Sequence, residues 1–141
     1  MSKQKRTVMK LLDTTFLIHY WGGREEAKTY LKENPNSEFA TTTLNIKEIA
    51  VGRKLQGNLN RQEILTTFDW VTLIPFQTEH AFVAGELEAE LHRESGVNQD
   101  KINALFGDVL IAAVAKDMGA TVVTKNGEDF ERFDTVPVEE Y

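Results

Sequence analysis

The sequence predicts a single α/β domain with a mainly parallel central sheet and helices on both of its faces. Its 141 residues are the usual size of one domain and suffice for a real core without disulfides. Short apolar runs typical of strands alternate with segments rich in helix formers, and this alternation favours parallel crossover units. The segment 109–115 is apolar on every side, as expected of a helix packed against a sheet.

The first half of the chain predicts three strands and three helices. The apolar run at 8–12 is the first strand, and it stops at Asp13. Thr43 is a suitable N-cap for a helix that continues to about residue 56. The other predicted features are an apolar segment at 16–20, helices at 24–33 and 61–68, and strands at 39–42 and 70–74.

The second half predicts two helices, a helical turn and two strands. Thr78 is a suitable N-cap for a long helix to about residue 94. Asp108 precedes a buried helix at 109–118, and Gly119 stands where helices commonly end. The long helix carries one apolar face, made of Val83, Ala84, Leu87 and Leu91. The remaining predicted elements are a strand at 121–124, a helical turn at 128–132 and a strand at 135–138.

Composition and charge exclude several functional classes. The chain has no cysteine, which rules out a disulfide scaffold, a thiolate zinc site and a cysteine nucleophile. Lysine and arginine total 16 against 22 acidic residues, and the net charge of −6 argues against holding nucleic acid by broad charge neutralisation. It leaves open an enzyme that meets a phosphate through a bound metal. We expect a cytoplasmic protein without a membrane partner, because the longest apolar run, 109–115, is too short to span a bilayer and no signal-peptide pattern is present.

Acidic and polar residues fall where a parallel sheet would bring them together. Asp13 follows the first strand, and Glu48 lies on the helix after the second. Asp108 opens the buried helix, and Thr124 and Asn126 lie at the carboxyl end of the fourth strand. Because ligands sit beyond the carboxyl ends of parallel strands, we expect these groups to converge at one edge of the sheet.

Glu48 shares a helical stripe with three apolar residues, which are Leu44, Val51 and Leu55. Burying a glutamate without a partner is costly, and no lysine or arginine lies on that stripe. A cation, or a partner from elsewhere in the fold, would therefore be needed. The alternative is a partly exposed glutamate at the rim of the core, and the helical wheel leaves both interpretations open.

The other candidates also have structural interpretations. Asp108 fits an N-cap of the buried helix, which the local sequence favours, although a capping aspartate can offer its second oxygen to a metal. Asp13 fits a turn at the strand end, and Asp129 fits a cap of the last short helix. Thr124 and Asn126 fit turn residues, or hydrogen-bond partners of a carboxylate or of a water near a metal.

The acidic set is suited to magnesium or manganese, because carboxylate oxygens are hard ligands. Without a metal ion, three or four acids at one site would repel one another. A bound metal would relieve this repulsion and recruit a phosphodiester. The chain contains no nucleophile elbow, phosphate loop or dinucleotide motif. His19, His80 and His92 are scattered and are interpreted as ordinary polar or packing residues. The aromatic residues assigned to the core rather than to a base-stacking surface are Phe16, Phe39, Phe68, Trp70, Phe82 and Phe106.

Four segments resemble the PIN-domain family, specifically the VapC-type ribonuclease toxins of prokaryotic toxin–antitoxin pairs. They are LLDTTFLI at 11–18, TLNIKEIAVG at 43–52, DVLIAA at 108–113 and TVVTKNGEDF at 121–130. Their order, spacing and the chain length all fit the family. Two departures are Thr15, where asparagine or serine is commoner, and Gly107, where a polar residue is frequent, and neither removes a carboxylate. The resemblance implies a PIN-like nuclease domain at 8–141. The basic N-terminal arm at 1–7 precedes it, and we interpret this arm as a solvated segment rather than as a nucleic-acid contact.

The resemblance also implies a Mg²⁺-dependent endoribonuclease, with Mn²⁺ as a substitute, that forms a homodimer and is held inactive by a cognate antitoxin whose tail covers the site. By motif, the metal-binding acids are Asp13, Glu48 and Asp108, the fourth acid is Asp129, and the supporting polar residues are Thr14, Thr124 and Asn126. Basic residues that could meet RNA phosphates, or simply be solvated, are Lys10, Arg53, Lys54 and Lys125. The alternative functions are a housekeeping PIN-like RNA-processing nuclease and a catalytically silent interaction module. The intact acids argue against the silent module.

Overall fold

The computed structural model describes residues 7–94, 96, 98–133 and 135–141. Its strands are β1 (Met9–Leu12), β2 (Glu38–Thr42), β3 (Thr72–Ile74), β4 (Thr121–Thr124) and β5 (Val138–Glu140). They form one sheet in the order β3-β2-β1-β4-β5, and every neighbouring pair is parallel. The predicted α/β class with a parallel sheet is confirmed. The predicted arm at 1–7 lies outside the described residues apart from Thr7, so the division into arm and domain stays a prediction.

Helices cover both faces of the sheet. Within the described residues they are α1 (Thr14–Trp21), α2 (Glu25–Glu33), α3 (Thr43–Leu55), α4 (Arg61–Thr67), α5 (Thr78–Arg93), α6 (Gln99–Ala104), α7 (Phe106–Met118) and α8 (Gly127–Phe130). Buried residues of α1–α4 form one apolar cluster and those of α5–α8 another. Successive strand residues point to opposite faces, so Leu11 joins one cluster and Leu12 the other. Both strand faces are therefore buried, as the continuous apolar runs predict.

The chain order creates a crevice between β1 and β4. From β1 the chain moves to β2 and β3 on one side, and it then returns to place β4 and β5 on the other side. Such a switch in direction between neighbouring strands opens a ligand site beyond their carboxyl ends. Leu12 pairs with Val123, so the next residues, Asp13 and Thr124, lie at the same level at the carboxyl edge of the sheet.

The helix starts differ from the sequence prediction. The N-cap of α3 is Thr42, one residue before the predicted Thr43, because the Thr42 hydroxyl and Asn45 bond each other's backbone N–H groups. The N-cap of α5 is Gln77, not Thr78.

The predicted capping roles of Asp108 and Asp129 are wrong. Helix α6 was not predicted, and Leu105 both ends it and starts α7, so Asp108 lies inside the first turn of α7. Asp129 likewise lies inside α8, whose N-cap position is Asn126.

Other differences concern strand limits and exposed aromatics. Strand β3 begins at Thr72, later than the predicted start at 70, and β5 begins at Val138 because the preceding segment turns to bury Val136 in the core. Phe82 and Phe106 are 66% and 59% exposed, so their assignment to the core is wrong. The other four aromatic residues assigned to the core are buried or pack against the cluster under α1–α4.

Helix α7 is buried from 109 to 115 apart from the half-buried Leu110, as predicted. No helix in the described part of the chain is long and apolar enough to cross a bilayer.

Candidate active site

Asp13 is buried at the carboxyl end of β1, and both of its oxygens accept hydrogen bonds. Oδ1 accepts from the Phe16 N–H at 2.9 Å and so caps α1, and Oδ2 accepts from the Thr124 hydroxyl at 2.5 Å. Burial raises the pKa of Asp13 and outweighs these two hydrogen bonds, which lower it. Asp13 therefore has a structural role at the start of α1 and faces the site at the same time.

A chain of hydrogen bonds holds Glu48 at the same sheet edge. The Thr14 hydroxyl donates to Glu48 Oε2 at 2.9 Å, and it accepts from Asn45 Nδ2 at 3.0 Å. Asn45 is fully buried, and its Oδ1 accepts from the Thr42 backbone N–H and hydroxyl. The N-cap of α3 thus fixes the first residue of α1, which in turn orients the Glu48 carboxylate.

Of the two interpretations left open for Glu48, the exposed glutamate is confirmed and the buried one that needs a cation is wrong. Glu48 is exposed, and so are Val51 and Leu55 on the same stripe, while α3 turns Asn45 and Ile49 to the core. The partner that the Glu48 carboxylate finds is the neutral hydroxyl of Thr14, not a buried cation.

Asp108 projects from the first turn of α7 towards the other acids. Its pKa is raised to about 6, first by burial and then by the negative charges of Asp129, Glu48 and Asp13. Lys101 lies 3.7 Å from Asp129 and offsets part of this repulsion. Asp108 therefore experiences the negative charge of the three other acids, although the four come from distant parts of the chain.

One small polar cavity of about 110 Å³ collects all seven predicted site residues. They are Asp13, Thr14, Glu48, Asp108, Thr124, Asn126 and Asp129, and Thr15, Asn45, Ile111 and Phe130 complete the lining. Sequence analysis missed Asn45, although a threonine followed three residues later by a polar amide at a helix start is a capping signal. The three histidines do not line this cavity.

The acidic set fits a hard divalent cation, because its carboxylates supply oxygen ligands and Lys101 offsets their negative charge only in part. Within the described ranges, no three acidic or histidine side chains are gathered closely enough to hold one ion as they stand. A metal would therefore need the exposed carboxylates to rotate towards Asp13.

The predicted phosphate-contacting residues have different surroundings. Lys10 is buried and its Nζ lies 2.8 Å from Glu139, so the expectation of a phosphate-contacting or solvated side chain is wrong for this residue. Arg53 lies 4.0 Å over the Trp21 ring and also pairs with Glu63, while Lys54 is exposed. Lys125 directly follows Thr124 at the carboxyl end of β4.

Comparison with known proteins gives one family and several structures. The family model described as the PIN domain matches residues 10–136. VapBC2 from Rickettsia felis bound to a DNA fragment from its promoter is 20% identical with a TM-score of 0.76, covering 95% of this chain and 99% of that chain. DNA-bound VapBC from Salmonella typhimurium is 22% identical with a TM-score of 0.71, covering 95% and 98%. A toxin–antitoxin complex from Klebsiella pneumoniae is 24% identical with a TM-score of 0.68, covering 90% and 94%. These likenesses show a shared fold, and comparison with curated proteins gives no significant match.

Proposed function

Because the chain belongs to the PIN domain family, we propose that it is a metal-dependent endoribonuclease acting as the toxin of a toxin–antitoxin pair. The observation that carries the proposal is the convergence of Asp13, Glu48, Asp108 and Asp129 on one cavity at the switch point of the sheet. A silent interaction module has no need for three carboxylates that raise the pKa of a fourth, Asp108.

Asp13, Glu48 and Asp108 would hold the cation, with Asp129 as the fourth acid. When bound, Mg²⁺ or Mn²⁺ would neutralise phosphate charge and make a water molecule a better nucleophile. Thr124 keeps Asp13 in place through its hydroxyl, and Thr14 does the same for Glu48. The two hydroxyls thus preorganise two carboxylates that belong to different elements.

The substrate class follows from the size and polarity of the cavity. A small cavity lined by oxygen atoms suits a phosphate group rather than an apolar ligand. In the proposed hydrolysis, water attacks phosphorus and the bond to one ester oxygen breaks, while the leaving oxygen takes up a proton. The exposed amide of Asn126 at the cavity wall is suited to donate to a phosphate oxygen.

We propose a cognate antitoxin as the protein partner, a homodimer as the assembly and the cytoplasm as the location. The Klebsiella pneumoniae structure, with a related fold, is a toxin–antitoxin complex, which supports the first of these. A housekeeping RNA-processing nuclease is the alternative that would use the same cavity.

The test compares the wild type, Asp108→Asn and the matched control Asp69→Asn, whose aspartate is exposed away from the cavity. RNA cleavage with Mg²⁺ should disappear with a chelator and in Asp108→Asn, and it should persist in Asp69→Asn. Expression should arrest growth for the wild type and the control only. Growth arrest by Asp108→Asn would favour the interaction module, and cleavage without arrest would favour the housekeeping nuclease.

A further inference from the structure

Beside the acidic cavity, a carboxylate is held between two cations. Glu26, in the first turn of α2, accepts from Lys125 Nζ at 2.6 Å and from Arg24 Nη1 at 3.3 Å. Lys125 Nζ also donates to the Tyr141 carbonyl at 2.6 Å and lies 4.5 Å from the centre of the Tyr141 ring. The hydrogen bond from Lys125 is the main cause that lowers the pKa of Glu26 below its ordinary value, and the charges of Lys125 and Arg24 add to it. The Glu26 side chain is therefore an anion.

His19 positions the guanidinium of Arg24. Arg24 Nη1 lies 3.3 Å from His19 Nε2, and the Tyr141 hydroxyl lies 2.6 Å from His19 Nδ1. A guanidinium only donates, so Nε2 is the acceptor, and Nδ1–H then donates to the Tyr141 oxygen. His19 therefore connects the end of β5 to Arg24.

This group lies on the same sheet edge as the acidic cavity. In the chain, Lys125 stands between Thr124, which donates to Asp13, and Asn126, which lines the cavity. Tyr141 follows the carboxyl end of β5, the neighbour of β4. Lys125 and, through Glu26, Arg24 therefore lie at the sheet edge that carries Asp13.

We propose that Arg24 and Lys125 bind a phosphate of the RNA backbone next to the phosphate that is cleaved, and that Glu26 fills this subsite until RNA displaces it. The inference rests on the proposed function, because it assigns a further contact to the same substrate. A carboxylate and a phosphate accept the same charge-assisted hydrogen bonds from a guanidinium and an ammonium.

The charge of the protein favours such a subsite. The net charge is −6 and the cavity adds local negative charge, so RNA needs cations at the flanks of the site. The side chains of Arg24 and Lys125 are 57% and 34% exposed, so their pairs with Glu26 are screened by solvent and exchange at low cost. Lys10, in contrast, is buried against Glu139.

The experiment measures binding and cleavage of a fluorescein-labelled single-stranded RNA of mixed sequence over a range of KCl concentrations. Anisotropy in chelator gives Kd, and cleavage in Mg²⁺ gives KM and kcat. The variants are Arg24→Gln, Lys125→Gln and Glu26→Gln, and the matched control is Lys32→Gln, an exposed lysine near the other end of α2. Urea unfolding checks that all variants are folded.

Arg24→Gln and Lys125→Gln should each raise Kd and KM about threefold to tenfold at low salt, with kcat unchanged. Each should also lower the slope of log Kd against log salt by about 0.7, the value for one lost phosphate contact on a single strand. Glu26→Gln should tighten binding, and Lys32→Gln should leave the slope as in the wild type. An equal loss of slope on DNA of the same sequence also supports a subsite that recognises phosphate.

Two results would overturn the inference, and they differ in what they say of the proposed function. If the wild type cleaves RNA with Mg²⁺ but Arg24→Gln and Lys125→Gln behave like Lys32→Gln, the subsite is wrong and the nuclease stands. If the wild type neither binds nor cleaves RNA, both proposals fail.

Discussion

Repulsion among the site acids should make the metal-free protein less stable at neutral pH, and Asp108→Asn tests this directly. Asparagine has nearly the shape of a protonated aspartate and carries no charge. Asp108 has its pKa raised from 3.8 to about 6 by burial and by three neighbouring carboxylates. Removing its charge therefore removes the unfavourable interaction while it leaves the packing of α7 almost unchanged.

The sign and size follow from proton linkage. Between pH 3.8 and about 6, the folded protein binds the Asp108 proton more tightly than the unfolded chain, so stability falls as the pH rises through this window. At about 1.4 kcal/mol for each tenfold change in proton affinity, the upper limit is about 3 kcal/mol. Asp108 is partly exposed, and solvent screening reduces the expected loss to about 1–2 kcal/mol.

Urea unfolding in chelator measures this loss. Asp108→Asn should exceed the wild type by about 1–2 kcal/mol in unfolding free energy above pH 7, and the difference should shrink towards zero as the pH falls below about 4. Excess Mg²⁺ should then stabilise the wild type more than the variant, because a ligand stabilises only the state that binds it. Asp69→Asn should show no such pH dependence. A variant that is less stable than the wild type at neutral pH without metal would refute the electrostatic reasoning.

Three further substitutions test the support around the site and the core. Thr124→Val removes the hydroxyl that donates to Asp13 and should cost about 1–3 kcal/mol in urea unfolding, whereas Thr121→Val on the same strand should cost less. Asn45→Ala removes the partner of Thr42 and the donor to Thr14, so urea unfolding should show a loss of about 1–2 kcal/mol, and RNA cleavage should fall further than in Asn36→Ala, a surface control. His80→Ala leaves the Gln77 N–H and the Asp117 carboxylate without their buried partner and should cost about 2–4 kcal/mol, against less than about 0.5 kcal/mol for the exposed His92→Ala. Equal losses in a variant and its control would contradict the assigned contact.

The fold class could be predicted because the strand signal is local. Leu11 and Leu12 are both fully buried although they face opposite sides of the sheet, and Val122 and Val123 repeat the pattern. A continuous apolar run of this kind indicates a strand covered on both faces, which is the parallel α/β arrangement. The start of α7 could not be predicted in this way, because it depends on α6 ending at Leu105 and not on the residues of α7 itself.

Glu48 shows what a helical wheel lacks, because the wheel left a buried and an exposed glutamate equally open. The wheel gives the residues that share a side of α3, but it does not say which side faces the sheet. Leu55 is 83% exposed near the end of α3, while the polar Asn45 is fully buried at its start. The apolar stripe exists, but it faces away from the core. Glu48 lies at the site edge because Thr14 holds it there, not because it is buried.

The convergence of the acids could be predicted, but their hydrogen bonds could not. Strand ends fix where Asp13 and Thr124 lie, because parallel neighbours end at one edge. The bond from Thr14 to Glu48 joins residues 34 apart in sequence, and only the relative placement of α1 and α3 decides it.

The hydrogen bonds also determine which acid can be substituted without disturbing the fold. Asp13 caps α1 through one oxygen and binds Thr124 through the other, so its loss would disturb fold and site together. Asp108 lies inside α7 and does not cap it, and so it is the residue at which a loss of chemistry can be separated from a loss of structure.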